Sequence, residues 1–398
     1  MKKTINICLA LTLIGALGVK PAFAEETDGE VKISVQEFEN AYELTVENTA
    51  TKTDFSQNSA NEKIAASEPA YEKLTVKEAV DYIIANGDAI KKNAENQLLN
   101  EQSNKTVKEQ LLEESDVTRY LDLVVSLMQN ELQMTQNIEN EAIIKEKTTY
   151  VIKQLFAAII AAENDIKLFD EELNISQKEL EISVVKEKYG AINAEALSSA
   201  RKSYDKSVKS RVTKTNAVSN AYMALNREMG VSLNERRTPV LELEYAPLGD
   251  MSIAYAVSAA QNQSAELKNL TSNVDIAQYK LDTYVWEGDQ SNNGEQSLEI
   301  ALTQTKRSYN DKKIEIESTV MSAYNAIIQS ETDYEAALTD LETARKQLEI
   351  TKLQLEMGKT TALAVEKAEH QIRQQEESIR KKVIDHALQI EKLSDPNL

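Results

Sequence analysis

Cysteine is nearly absent: the 398 residues hold one, Cys8. It lies in the opening stretch "MKKTINICLALTLIGALGVKPAFAEE", where two lysines, an apolar run from Ile5 to Val19 and Ala22-Phe23-Ala24 follow the order of a secretory signal peptide, residues 1–24. Without that segment no thiol remains, which excludes disulfides and thiol chemistry. Glycine (10), proline (5) and aromatics (5%) are as scarce. The chain is left rich in Ala, Leu, Glu, Lys and Gln, residues that lose least on entering a helix. Histidine occurs twice, at His370 and His386. Their sixteen-residue separation does not suit a metal pair on a helix, which needs three or four, and reads as surface or seam positions. No histidine stands in the context of a triad and no glycine loop is built for phosphate, so the sequence predicts no enzyme, no cofactor and no metal.

Positive charge is also in deficit. The formal net charge is -20, and loss of Lys2, Lys3 and Lys20 with the signal takes it to -23. That balance opposes nucleic acid and anionic membrane faces and fits an exported, solvated envelope protein. No later run reaches eighteen apolar residues, so no second spanning helix is predicted. Residues 25–73 are acidic and rich in Ser, Thr and Asn, and read as a flexible lead, with "VKISVQEFENAYELTV" as a candidate short strand or helix.

What is present is helix. No proline falls between Pro69 and Pro239 or between Pro247 and Pro396, which outlines two long helical halves, residues 74–230 and 249–394. The linker, residues 231–248, follows Gly230 as a helix stop. The halves repeat one another. "EAVDYIIANGDAIKKN" from Glu78 aligns with "YAVSAAQNQSAELKNL" from Tyr255 at an offset of 177. "LFAAIIAAENDI" from Leu155 aligns with "AYNAIIQSETDY" from Ala323 at 168, an offset kept through Leu180 and Leu348 to Gly190 and Gly358. The nine-residue difference falls between about Asn93 and Tyr150.

Each half predicts three helical runs: about Val76 to Leu112, Val117 to Lys188 and Ile192 to Met229, then Met251 to Trp286, Leu298 to Met357 and Thr361 to Lys392. Apolar residues recur at sevens, as in Ile166, Leu173 and Leu180, in Ile175, Ile182 and Tyr189, and in Leu341, Leu348 and Leu355. Sevenfold spacing holds a seam against partner helices, and two seams on one helix call for neighbours on two sides. The predicted fold is all-α: two duplicated units of very long antiparallel coiled-coil helices. Such helices must reverse, and the glycines mark where, with Asn193 or Thr360 as candidate caps of the returning helices.

The opening "LTVKEAVDYIIANGDAIKKN", the "YG" and "MG" breaks with Ala-rich returns, the closing "AYMALNREMGV" and the duplication together resemble the TolC outer-membrane efflux family, over roughly Leu74 to Leu393. The resemblance implies a TolC-like α-barrel protomer in a homotrimeric duct crossing the periplasm, capped by a β-barrel in the outer membrane. It implies a periplasmic adaptor and an inner-membrane pump as partners. It makes Tyr189, Gly190, Ala191, Met357, Gly358 and Lys359 the candidate adaptor-docking residues. It places the chain in the outer membrane or periplasm, or at the cell surface or beyond it where the host has no outer membrane.

Two departures stand out. The family inserts a strand pair in each half between the opening and long helices. The second half offers only "EGDQSNNGEQS" there, and "TRYLDLVVSLMQNEL" in the first fits a helix face through Leu121, Val124, Val125, Met128 and Leu132 better than a strand. Without closed strands the chain does not itself form the family's membrane pore, and the second prediction is an exported interaction protein descended from that family. Thr360, Ala364 and Lys367, with Ala196, stand where some members carry the charged residues that ring the tunnel mouth, so no carboxylate ring is carried over. Trp286 ends its run beside the polar turn, as a seam cap or an envelope contact.

Overall fold

The dominant element is a helix of 72 residues. In the computed structural model, which describes residues 71–285 and 294–398, it spans Val117–Lys188. The signal segment, the acidic lead to residue 70, Trp286 and residues 287–293 lie outside the described residues. In chain order the elements are β1 (Lys73–Thr75), α1 (Val76–Asn86), α2 (Asp88–Glu113), α3 (Val117–Lys188) and α4 (Ala194–Met229). There follow β2 (Thr238–Val240), α5 (Ile253–Gln263), α6 (Ala265–Asp282), α7 (Gly294–Glu356) and α8 (Ala362–Ser394). At 1.5 Å per residue α3 is about 108 Å long and α7 about 95 Å.

Each opening run, expected as one helix, is two. Gly87 is extended (φ -71, ψ 147), closes α1 by donating to Ile83 O at 2.6 Å, and starts α2. In the second half Ser264 does the same with a side chain: its N–H donates to Ala260 O, and its hydroxyl accepts from Leu267 N to cap α6. The two breaks stand 177 positions apart, the same offset as the flanking sequence. The long helix of the first half has 72 residues, and the described part of its counterpart α7 has 63.

The long helices form a sheet of neighbours. Towards the glycine turns the order is α4, α3, α8, α7; towards the other end it is α2, α3, α6, α7. Midway lie two matched cores. One gathers Leu74, Ala79, Ile152, Phe156, Ile159, Tyr222 and Leu225, the other Ala256, Ala260, Ile316, Val320, Ile327 and Leu393. Ile159 and Ile327, both fully buried, are equivalent at the 168 offset, as are Ala79 and Ala256 at 177. The repeat seen in the sequence is therefore a repeat of packing.

Between the cores the linker is pinned down. β2 pairs in parallel with β1, Leu74 facing Pro239, so Lys73 belongs to a strand and not to a flexible lead. Tyr245 stacks on Tyr334 at 4.1 Å and on His386 at 4.8 Å. His386, 1% exposed, pairs through Nδ1 with Ser330 Oγ and through Nε2 with Ala246 O, while Glu331 accepts from Leu248 N at 2.6 Å. His370 is buried as well, against Glu171 at 3.1 Å. Of the two readings for the histidines, the seam is the one observed, and both close polar contacts between elements.

Along α3 and α8 charged rungs set the register: Lys153 with Glu391, Asp165 with Lys381, Glu171 with Arg373, Lys178 with Glu366 and Glu179 with Lys367. These half-exposed pairs contribute modestly to stability but fix which residues are level. Burial pushes the Glu171 carboxyl up, and the hydrogen bonds from Arg373 and His370 outweigh it, holding it below its ordinary value.

Phe156 makes the larger contribution through packing. Replacing it with alanine is expected to cost about 3 to 5 kcal/mol in urea unfolding, since the side chain is fully buried in the first core. Glu171 supplies a pH signature. A depressed folded-state pKa means its contribution is present above the ordinary carboxylate range and is lost as pH falls through the folded value. Thermal melts of Glu171→Gln against the parent should therefore differ at neutral pH and converge in acid.

Candidate docking site at the hairpin tips

Both reversals are built by the same backbone device. At the first, Tyr189 ends α3, Gly190 takes the left-handed conformation (φ 72), its N–H donates to Glu187 O at 2.8 Å and Ala191 N donates to Lys186 O at 2.8 Å. At the second, Met357 ends α7, Gly358 has φ 68, its N–H donates to Leu355 O at 2.9 Å and Lys359 N donates to Gln354 O at 2.8 Å. This is the Schellman closure, which satisfies carbonyls left over at a helix end and admits glycine at its left-handed residue with least strain. No atom lies within 4 Å of where a Cβ would stand at either glycine, so the requirement is conformational and not one of space.

The returning helices are capped in equivalent places. Asn193 Oδ1 accepts from Ala196 N at 2.8 Å and Thr361 Oγ1 accepts from Ala364 N at 3.3 Å. Thr360, one of the expected caps, does not fill that role. The signal was available in the offset, since Asn193 moved by 168 positions falls on Thr361 and not on Thr360. An N-cap is defined by reach to the third residue on, and a one-residue slip removes it.

All six tip residues lie on the surface. Tyr189 is 80% and Met357 59% exposed, large apolar side chains with nothing packed over them. Behind them Val184, Val185, Ile350 and Leu353 are exposed as well, extending each tip into an apolar patch. The expected seam at Ile175, Ile182 and Tyr189 is buried at Ile175 and opens to solvent as it nears the turn. A sevenfold pattern states that a partner exists and not whether the chain itself supplies it.

Both tips are at one end, because α3 runs into the first and α8 departs from the second while the two helices pair along their length. They are not level. Lys178, ten residues before the end of α3, meets Glu366, four residues into α8, so the first tip projects further by about 9 Å. At the opposite end α2 passes into α3 through Glu114, Ser115 and Asp116 alone, too short for a strand pair. The stretch "TRYLDLVVSLMQNEL" is helical throughout, as its apolar face predicted. Among the described residues the strands are β1 and β2, and no helix is long and apolar enough to cross a membrane.

Alanine at Gly190 or Gly358 would adopt the left-handed turn at a cost of about 1 to 2 kcal/mol. Amide exchange at Ala191 and Lys359, whose N–H groups close the motif, is expected to speed up accordingly. Unchanged protection would mean that the turn does not depend on glycine.

No family model matches the chain, and no curated protein matches it. Solved structures do. CusC, whose structures follow folding and transmembrane channel formation, aligns at a TM-score of 0.56 and 12% identity, over 81% of this chain and 92% of that one. The outer membrane protein VceC of Vibrio cholerae aligns at 0.56 and 10%, over 81% and 97%. The CmeC outer membrane channel of Campylobacter jejuni aligns at 0.52 and 11%, over 86% and 94%. Paired hairpins of very long helices, duplicated and joined across a pinned linker, give this chain the fold of the TolC-family outer membrane channels.

Proposed function

We propose that the chain is a subunit of an efflux or secretion duct of the cell envelope, a homotrimer that docks a periplasmic adaptor and, through it, an inner-membrane pump. The observation that carries this reading is the pair of tips: two turns of identical backbone construction, facing one way, each presenting an exposed apolar residue beside its glycine. A turn needed only to reverse a helix has no use for Tyr189 and Met357 in water. Exposed apolar groups clustered at an end are the ordinary mark of a contact surface. Tyr189, Gly190, Ala191, Met357, Gly358 and Lys359 are the docking residues in this reading. The duct has no reaction to catalyse, and selection of its cargo falls to the pump.

A second reading is favoured by the three-residue connection at Glu114–Asp116, where a membrane-inserted relative needs strands. In it the chain is an exported coiled-coil interaction protein that keeps the tips and the family's helical body but forms no membrane pore itself.

Single cysteines at Tyr189 and Lys359, with Cys8 as the chain's only other thiol, allow a direct test in the native envelope. Thiol crosslinking is expected to capture a periplasmic adaptor that brings the pump with it on purification. Recovery of the chain crosslinked to nothing but itself would overturn the docking reading. Conductance of the purified protein in planar bilayers separates the two versions: a steady pore supports the membrane duct, and its absence supports the interaction protein.

A further inference from the structure

The turn that follows α8, Asp395 to Leu398, is closed by its own hydrogen bonds. Asp395 Oδ1 accepts from Asn397 N at 2.9 Å and from Asn397 Nδ2 at 3.1 Å, and Leu398 N donates to Asp395 O at 3.2 Å. Pro396 stands second in the turn, where its fixed φ suits the bend. The turn is therefore a built element, and its side chains are aimed in two directions.

In one direction Asn397 reaches the break between α5 and α6. Its Oδ1 accepts from Ala265 N, the first N–H of α6, at 3.1 Å, and its Nδ2 donates to Gln263 O at 3.4 Å. These two groups flank Ser264, so one side chain staples both sides of the bend. The equivalent break at Gly87 in the first half has no side-chain cap. The staple belongs to the second half alone.

In the other direction the turn faces the first half across a cleft of about 430 Å³. Leu398 stands there with Val80 and Ile84 of α1. Four carboxyl groups share the cleft: Asp81 from α1, Glu146 from α3, Glu391 from α8 and Asp395 from the turn. Lys145 is the one cation lining it, and Glu391 is engaged outside it by Lys153 at 2.7 Å. Tyr150 lies one turn further along α3 beside Glu391, and the nearest charge from α6, Lys268, is held by Glu139. Glu146 and Asp395 are in hydrogen-bonding contact. Two ionised carboxylates are both acceptors only, so that contact requires a proton on one of them. Asp395 already accepts twice from Asn397, which favours its charged form and leaves the proton to Glu146. Burial, and then the contact with Asp395, push the Glu146 carboxyl above its ordinary value.

We propose that the turn after α8 is a proton-operated latch: with a proton between Glu146 and Asp395 it is held on α3 and staples the α5–α6 break, and without that proton it lets go. Ionising Glu146 sets its charge against Asp395 with Asp81 and Glu391 close by and Lys145 alone to offset them. Glu146 lies within a 72-residue helix and cannot withdraw, whereas Asp395 stands just past the end of α8, so the turn is the part that moves. Its departure takes Asn397 from Ala265 N and leaves the bend at Ser264 unstapled. α6 is the helix that lies beside α3 towards the far end, so the latch governs how firmly the second half is angled against the first there. A raised folded-state pKa gives the direction: the contact is complete in acid and is lost as pH rises through the folded value. The latch does not depend on the duct reading, since every group in it belongs to one copy of the chain.

The test is amide exchange at Ala265 in the full chain after export, corrected for the intrinsic effect of pH, at about pH 5 and about pH 7.5. Protection is expected to be severalfold higher at the lower pH. Glu146→Gln, which cannot ionise and can still donate to Asp395, should give the high value at both. Asn397→Ala removes the staple and should give the low value at both, while Gly87 N at the equivalent break should show no such dependence. Equal protection of the parent at the two pH values would overturn the latch. So would a pH dependence that survives in Glu146→Gln, which would place the proton elsewhere, or a loss of protection in that variant at both pH values, which would make Glu146 a structural support only. None of these outcomes bears on the hairpin tips.

Discussion

The structure depends on one constraint: a helix of about 100 Å cannot bury its own apolar seam. α3 and α7 each carry more apolar surface than any intrahelical contact can cover, and each answer adopted by the chain removes part of that surface from water. Reversal at a glycine supplies one neighbour, the α3 to α8 pairing supplies a second, and α6 beside α3 supplies another at the far end. Hydrogen bonding along the backbone is satisfied locally, so the helices persist without a globular interior. The seams then decide only which helix lies beside which.

Duplication makes this solution self-consistent. Ile159 and Ile327 fill equivalent buried sites, Gly87 and Ser264 bend equivalent helices, and Glu163 and Glu331 accept hydrogen bonds at equivalent heights, from Tyr222 OH and Leu248 N. Burial, together with the hydrogen bond it donates to the Glu163 carboxylate, pushes the pKa of the Tyr222 hydroxyl well above its ordinary range, so the bond persists through neutral pH. The halves also differ where they meet. The linker lies over α7 and α8, held by the stack of Tyr245, Tyr334 and His386, and its β2 reaches back to β1 in the first half. Polar contacts of this sort, in the middle of an otherwise repetitive body, fix one register among several that seams spaced at sevens would allow.

What remains unburied follows from the same constraint. A sheet of helices has edges, and its turns have tips. Exposed apolar residues occur on both features, Tyr189 and Met357 at the tips and Leu98, Leu99, Ile314 and Met321 along the edges.

The sequence by itself determined what is local. Helix type, the bounds of α3, the left-handed glycines and the 168-residue offset were legible because capping, breaking and periodicity act over a few residues. Even the misread cap at Thr360 was correctable within the sequence, from the offset to Thr361. Tertiary structure alone decided the rest. That α2 buries Asn93 and Asn104 while exposing Leu98, Leu99 and Leu112, that His370 and His386 lie inside, that Lys73 to Thr75 pair with residues of the linker, and that the tips are staggered all depend on partners more than a hundred positions away or on the neighbouring helix. A seam pattern records that each face has a partner, and only the assembled helices show which faces the chain covers itself and which it leaves for another.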